Sequence, residues 1–242
     1  MGNERNMIID FAQSQVGYKE DPPGSNLQKY GALLDSLPWY IRKENGKERI
    51  HKVNGYDWCT QFVDAAFISV FTLETARKML CRPAVNDYGS VVKYAFNYFQ
   101  REGRGYRKAD HDPNPGDIIY FQNSAGLCHT GIVKSVTDTE VTTIEGNAGT
   151  GNNYVVEKTY KKDAAYIYGY GVPMYDEKYP EVPFDAVCTL KGVAIRSGPY
   201  SDCPIIGYMS VGSISQIEAL DGSSGDFGKI TGYVYLPGGF KV

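Results

Sequence analysis

The amino-acid sequence predicts an α+β fold followed by a smaller all-β module. Three observations carry this. Apolar residues recur at helical three- and four-residue spacings through the N-terminal part, and period-two alternation takes over after Pro113-Asn114-Pro115-Gly116-Asp117. A proline-rich stretch at 172–183 then separates both from residues 184–242, which contain no helix-length apolar face.

The elements follow in order. Ile8, Ile9, Phe11, Ala12, Gln15 and Val16 make one helical face behind Asn3 and Asn6 as candidate caps, and Gly17 ends it. A short second helix spans Leu27 to Leu34. Residues 36–57, with Pro38, Gly46 and Gly55 among scattered charges, predict an extended loop. Phe62, Val63, Ala66, Phe67, Val70 and Phe71 define the central buried helix, with Asp57 as its expected N-cap. A further helix from Asp87 to about Arg101 buries Val91, Tyr94, Ala95, Tyr98 and Phe99. Strands are expected at Ile118–Phe121, His129–Val136, Glu140–Glu145, Tyr154–Thr159 and Tyr166–Tyr170, divided by Asn, Gly and Asp turns. The segment 172–183 holds three prolines in twelve positions, which blocks helix and weakens any central strand, so the expected organisation is 1–171, a linker at 172–183, and 184–242. Strand-like pieces recur in the last part at Ala186–Leu190, Val193–Arg196, Ile205–Met209, Ser213–Glu218 and Tyr233–Leu236, which suits a small β-barrel.

A chain of 242 residues, 42% hydrophobic, has enough apolar material for a substantial core. Its formal charge is −3, and the basic clusters at Arg42-Lys43, Lys47-Glu48-Arg49 and 101–108 are interrupted by acids and loop residues, which argues against nucleic acid as a partner. No apolar run approaches the length of a membrane span, so neither stable membrane insertion nor a conventional signal peptide is expected. Five cysteines without CxxC spacing exclude an all-paired disulfide scaffold and suggest no zinc set.

Chemistry concentrates at two places. Cys59, in Tyr56-Asp57-Trp58-Cys59-Thr60-Gln61-Phe62-Val63, falls near the second position of the central helix, where the dipole and free N–H groups favour a thiolate. His129 opens a strand, and with only three histidines in the chain few other bases compete. Together they suggest papain-like cysteine chemistry; the competing interpretation is a core cysteine beside an unrelated histidine. The hairpin turning near Thr137-Asp138-Thr139 brings the start of the His129 strand to the end of the next, where Glu145 and Asn147 stand. One of these two orients the imidazole and fixes its tautomer. Cys128, adjacent along the strand, is expected to face the opposite way, into the core. His111 with Asp110, Asp112 and nearby Asp117 lacks the spacing of an EF-hand and reads as a solvated turn, so no metal and no cofactor is expected.

These blocks resemble a known family. Residues from about Ile8 to Tyr170 are similar to the CHAP domain, the cysteine, histidine-dependent amidohydrolase/peptidase, through the Cys59 block, Pro115-Gly116-Asp117-Ile118-Ile119-Tyr120-Phe121, His129-Thr130-Gly131-Ile132-Val133 and Ile144-Glu145-Gly146-Asn147 in the family's order. The resemblance implies helices packed on an antiparallel sheet and cleavage of amide bonds in bacterial peptidoglycan. It implies Cys59 as nucleophile, His129 as base, Glu145 as the acid orienting the imidazole and Asn147 as a further polar site residue. Val193-Ala194-Ile195-Arg196-Ser197-Gly198-Pro199 and Pro204-Ile205-Ile206-Gly207-Tyr208 resemble a bacterial SH3-type wall-binding domain, although Gly225-Asp226-Phe227 stands where that pattern usually has a tryptophan. The combination resembles phage or prophage endolysins, which implies a stay in the host cytoplasm until a holin opens the membrane. Rival functions are another cysteine peptidase or an acyltransferase, and a catalytically inert wall-binding protein. Neither the scissile bond nor the oligomeric state is legible.

Overall fold

The computed structural model describes residues 3–175 and, beyond them, 184–188, 193–197, 204–211, 213–217, 219–221, 227–229, 233–235 and 240–241. The chain divides into two compact units, Ile8–Met174 and a second made of Met1–Met7 with Tyr175–Val242.

The larger unit is α+β. Helix α1 (Asn3–Ser14), whose residues from Ile8 onward belong to it, buries Ile8 and Ala12 completely. Helix α2 (Lys29–Ser36) starts where the Gln28 side chain accepts from the Gly31 N–H. Residues 41–50 form a hairpin, β1 (Ile41–Glu44) with β2 (Lys47–Ile50), where the sequence predicted an extended loop. The turn is Asn45-Gly46, both at positive φ, the two-residue chemistry that closes hairpins. The alternation flanking it is charged rather than apolar, because every residue of β2 faces solvent, and so it gives no hydrophobic signal.

Helix α3 (Cys59–Val70) is the centre of the unit: its first nine residues are all buried, the polar Thr60, Gln61 and Asp64 included. A helix buried all round needs its polar groups paired. Asp64 accepts from Trp39 Nε1 at 3.0 Å and from the Tyr40 hydroxyl, and it meets Arg82 at 2.6 Å. Arg82 also reaches Asp87 at 3.5 Å. A short helix, α4 (Leu73–Met79), capped by the Thr72 side chain, follows and leads to Arg82. Its seven residues are too few to show a periodicity in the sequence. Helix α5 (Val92–Arg101) begins five residues after the expected Asp87, whose carboxylate instead serves Arg82 and the Gly89 N–H.

The sheet is six-stranded and antiparallel, in the order β3 (Gly105–Arg107), β8 (Ile167–Gly171), β4 (Ile118–Asn123), β5 (Gly126–Val136), β6 (Glu140–Ala148), β7 (Tyr154–Lys161). All five expected strands of this unit are present, and the three-residue β3 is added at an edge. Phe96 of α5 packs edge-on against Tyr120 of β4 and Tyr168 of β8, at 5.0 and 5.1 Å between ring centres. Helix α3 lies against β6 at Gly146, where an added Cβ would stand 2.4 Å from Phe62 Cβ and 2.8 Å from Trp58 Cζ3. Only glycine permits that approach.

In the second unit the described strands make a five-stranded antiparallel sheet, β11-β10-β15-β14-β13, and a three-stranded one, β12-β9-β16. These are β9 (Phe184–Cys188), β10 (Val193–Arg196), β11 (Ile205–Met209), β12 (Ile214–Ile217), β13 (Ala219–Asp221), β14 (Phe227–Lys229), β15 (Tyr233–Tyr235) and β16 (Phe240–Lys241). Among the described residues from 184 onward the regular elements are all strands, as the absence of helical faces predicts. Most of the expected linker, residues 176–183, and the Gly198-Pro199 turn lie outside the described residues. No helix among the described residues is long and apolar enough to cross a membrane.

Candidate active site

The loop before α3 is fastened from beneath. Gln61, buried one turn into the helix, receives Gln28 Nε2 on its Oε1 and shares its own amide hydrogens among the carbonyls of Val53, Tyr56 and Asp57. Trp58 donates its indole N–H to the buried Glu20 carboxylate at 2.9 Å and stacks on Tyr30. Trp58, not Asp57, occupies the N-cap position, with no side-chain capping bond, because Asp57 is turned outward to accept from Asn147 Nδ2. Cys59 is therefore the first residue of α3, one position earlier than expected, and it is 4% exposed. At that position its backbone N–H has no intrahelical acceptor.

His129 enters from β5, paired across to Phe121 of β4, on whose ring the imidazole stacks at 5.7 Å. Its Nε2 lies 2.9 Å from Glu145 Oε2, and Cys59 is its other hydrogen-bond partner, which leaves Nδ1 for the sulfur. The β5–β6 register, Ile132↔Ile144, brings Gly131 beside Glu145. A Cβ on Gly131 would sit 2.6 Å from Glu145 Cγ, so this glycine is the gap through which the carboxylate reaches the ring. Of the two candidates at the end of β6, it is Glu145 that meets the imidazole.

Three residues that sequence reasoning missed surround Glu145, itself wholly buried. Thr143 donates its hydroxyl to Oε1 at 2.6 Å, Tyr160 donates to the same oxygen at 2.8 Å, and Lys158 Nζ stands 3.4 Å from Oε2. Thr143 is two residues from Glu145 on one strand, and Lys158 and Tyr160 are two apart on the next, so strand periodicity places each pair on one face. The register Thr143↔Lys158 that joins them is not visible in sequence.

The charges follow from these contacts. Burial of the ring opposes a proton on His129, but the hydrogen bonds and negative charges of Cys59 and Glu145 outweigh it and raise its pKa to about 10. Burial likewise pushes Glu145 upward, while the bond to His129, the His129 charge, Thr143 and Lys158 together hold its pKa below the usual carboxylate value. The arrangement is a sulfur, a protonated imidazole and a carboxylate in series.

Asn147 lies elsewhere in the site. It occupies the irregularity between Glu145 and Ala148 in the β6–β7 pairing, at φ 56°, a left-handed conformation asparagine tolerates. Its Nδ2 donates to Asp57 at 3.4 Å, and its buried Oδ1 has no hydrogen-bond partner. Cys59, His129, Asn147, Asp57, Cys128, Ala148, Asn152 and Lys158 line one cleft of about 290 Å³. Cys128 is exposed in that cleft instead of being packed in the core, because β5 is still unpaired with β6 at this end.

His111 pairs with the buried Asp117 at 2.8 Å and stacks on Tyr106, a packed role in place of the expected solvated turn. Among the described residues no three His, Cys, Asp or Glu side chains are grouped to hold a metal ion. Cys59, Cys81 and Cys128 are free thiols.

No curated protein matches the chain. Solved structures similar to it include the crystal structure of Ly7917 with the hydrolyzing product of MDP, at 16% identity and a TM-score of 0.40, and the crystal structure of Ly7917, at 14% and 0.39. Each comparison covers 88% of this chain and 81% of the other. A CHAP domain is found at residues 51–147, a span that runs from the loop before Cys59 through His129 and Glu145 to Asn147.

Proposed function

We propose that the protein is a peptidoglycan amidohydrolase that cleaves an amide bond through a Cys59 thioester. The observation that carries this reading is the series Cys59, His129, Glu145, the first two lining one cleft and the third buried behind the imidazole, within a stretch that matches the CHAP domain.

The Cys59 thiolate attacks the scissile carbonyl carbon, and the carbonyl electron pair moves to oxygen, where the free N–H of Cys59 is a suitable donor. The His129 imidazolium gives its Nδ1 proton to the amide nitrogen; the C–N bond breaks and an amine departs, leaving a thioester. Neutral His129 then takes a proton from water as the resulting hydroxide attacks the thioester carbon. The C–S bond breaks, the acid product leaves, and thiolate and imidazolium are restored. Glu145 holds the ring with Nε2–H bonded and Nδ1 facing the sulfur throughout. We further propose that residues 184–242 bind wall material as an SH3-like module joined through the 172–183 linker to a catalytic domain at 1–171. In this reading the protein serves as a phage or prophage endolysin, held in the host cytoplasm until lysis.

Mass spectrometry of soluble fragments released from purified sacculi tests the central claim. Wild-type protein is expected to release fragments with new amino termini and Cys59→Ala none. Fragments released equally by both, or by neither from walls of several peptide chemistries, refute it.

A further inference from the structure

Lys158 stands in the catalytic cleft with a charge the catalytic carboxylate does not need. Glu145 already receives the imidazole of His129 at 2.9 Å and the hydroxyls of Thr143 and Tyr160 at 2.6 and 2.8 Å. The ammonium is the fourth and most distant partner, at 3.4 Å. Unlike the carboxylate it is not sealed in: the Lys158 side chain is 39% exposed and lines the cleft beside His129, Asn147 and Asn152. An ammonium has three hydrogens, and Glu145 engages one direction only. Asn147 lines the same cleft, and its buried carbonyl oxygen has no hydrogen-bond partner while its amide nitrogen is taken by Asp57. A buried acceptor left open at a site suits a donor brought by the ligand.

We infer that Lys158 is a specificity residue that takes a carboxylate of the substrate, while Asn147 Oδ1 accepts an amide N–H of the same chain. The ligand class is an acidic peptide. Lys158 Nζ stands 3.4 Å from Glu145 Oε2, the oxygen that His129 Nε2 meets, which places the carboxylate at the His129 end of the cleft. Asp57, exposed on the α3 side of the cleft, repels an anion from that end and reinforces the orientation.

The inference rests on the amidohydrolase reading for its substrate, and binding separates the two. The probes are N-acetylmuramoyl-L-alanyl-D-glutamic acid and the same compound with both carboxyl groups as carboxamides, titrated calorimetrically into full-length Cys59→Ala protein. The acid is expected to bind about 5- to 10-fold more tightly than the diamide, the difference between a charge-assisted hydrogen bond and a neutral one. Adding Lys158→Gln should bring that ratio to about one, whereas Lys158→Arg should keep it above one. A ratio within about twofold of unity in the Cys59→Ala background overturns the inference, as does a ratio that survives Lys158→Gln. Preference for the acid without cleavage of sacculi by wild type upholds the Lys158 assignment and removes the hydrolase reading; cleavage without preference does the reverse. A Lys158→Gln change that moves the pH–rate profile but leaves the acid-to-diamide ratio intact would reduce Lys158 to a positioning role behind Glu145.

Discussion

Replacing Glu145 by glutamine removes one negative charge while keeping the shape that passes the Gly131 gap. The amide oxygen can take the place of Oε2 and accept from His129, and the Thr143 and Tyr160 hydroxyls can turn to accept from the amide N–H groups that replace Oε1, so the principal loss is electrostatic. A carboxylate hydrogen-bonded to the imidazole at 2.9 Å stabilises its protonated form. An opposite charge at such range is worth about 1–3 pKa units. Because the anion raises the His129 pKa, its removal lowers it, and Lys158, left without its counter-charge, pushes the same way. With His129 raised to about 10 in the wild type, the alkaline limb of kcat/KM should descend to between about pH 7 and pH 9 in the variant. At neutral pH, exchanging a charge-assisted bond for a neutral one of about half its strength costs about 1–1.5 kcal/mol, or roughly tenfold in rate. The assay is amine release from sacculi across pH, with wild type and Glu145→Gln side by side. An alkaline limb that stays where it is in the wild type refutes the account of His129 protonation given above.

Two other outcomes test the scaffold. Gly131→Ala places a methyl 2.6 Å from Glu145 Cγ and 3.0 Å from the Ile144 carbonyl, so the carboxylate should be displaced from the ring and kcat should fall by about 10- to 100-fold. Its thermal midpoint should drop by only a few degrees, as overpacking costs about 1–3 kcal/mol; full activity would mean that Glu145 has another route to His129. Asp64→Ala strips the buried Arg82 of its 2.6 Å partner. Breaking such a pair costs about 3–5 kcal/mol, a large part of the total for an ordinary domain, and the urea midpoint should fall accordingly. An unchanged midpoint would show that Asp87 alone satisfies the guanidinium.

What the sequence reveals and what it withholds divide along the range of the forces involved. The α3 face and the strands from Ile118 to Tyr170 are legible because burial imposes its period on neighbouring residues. The hairpin from Ser135 to Glu140 also brings His129 toward Glu145 as its turn chemistry predicts. The choice of Glu145 over Asn147 is not legible. It depends on Gly131 leaving a gap on one strand and on the irregularity after Glu145 turning Asn147 to Asp57. Thr143, Lys158 and Tyr160 escape notice because a strand's register with its neighbour is a pairwise property that neither strand records alone. Asp57 has the composition of a cap, but tertiary contacts of Trp58 with Glu20 and Tyr30 set the helix start and turn Asp57 away.

The nucleophile and the base of the proposed mechanism belong to different layers of the molecule. Cys59 begins the innermost helix, and His129 and Glu145 ride on the sheet that the helix presses against at Gly146. No single element holds a competent pair. Turnover therefore reports the seam itself: a collapsed form with every helix and strand formed but the layers a few ångströms apart would have all its secondary structure and no activity. Refolding followed by amine release should lag behind refolding followed by far-ultraviolet dichroism, and the interval between them would time the closure of that seam.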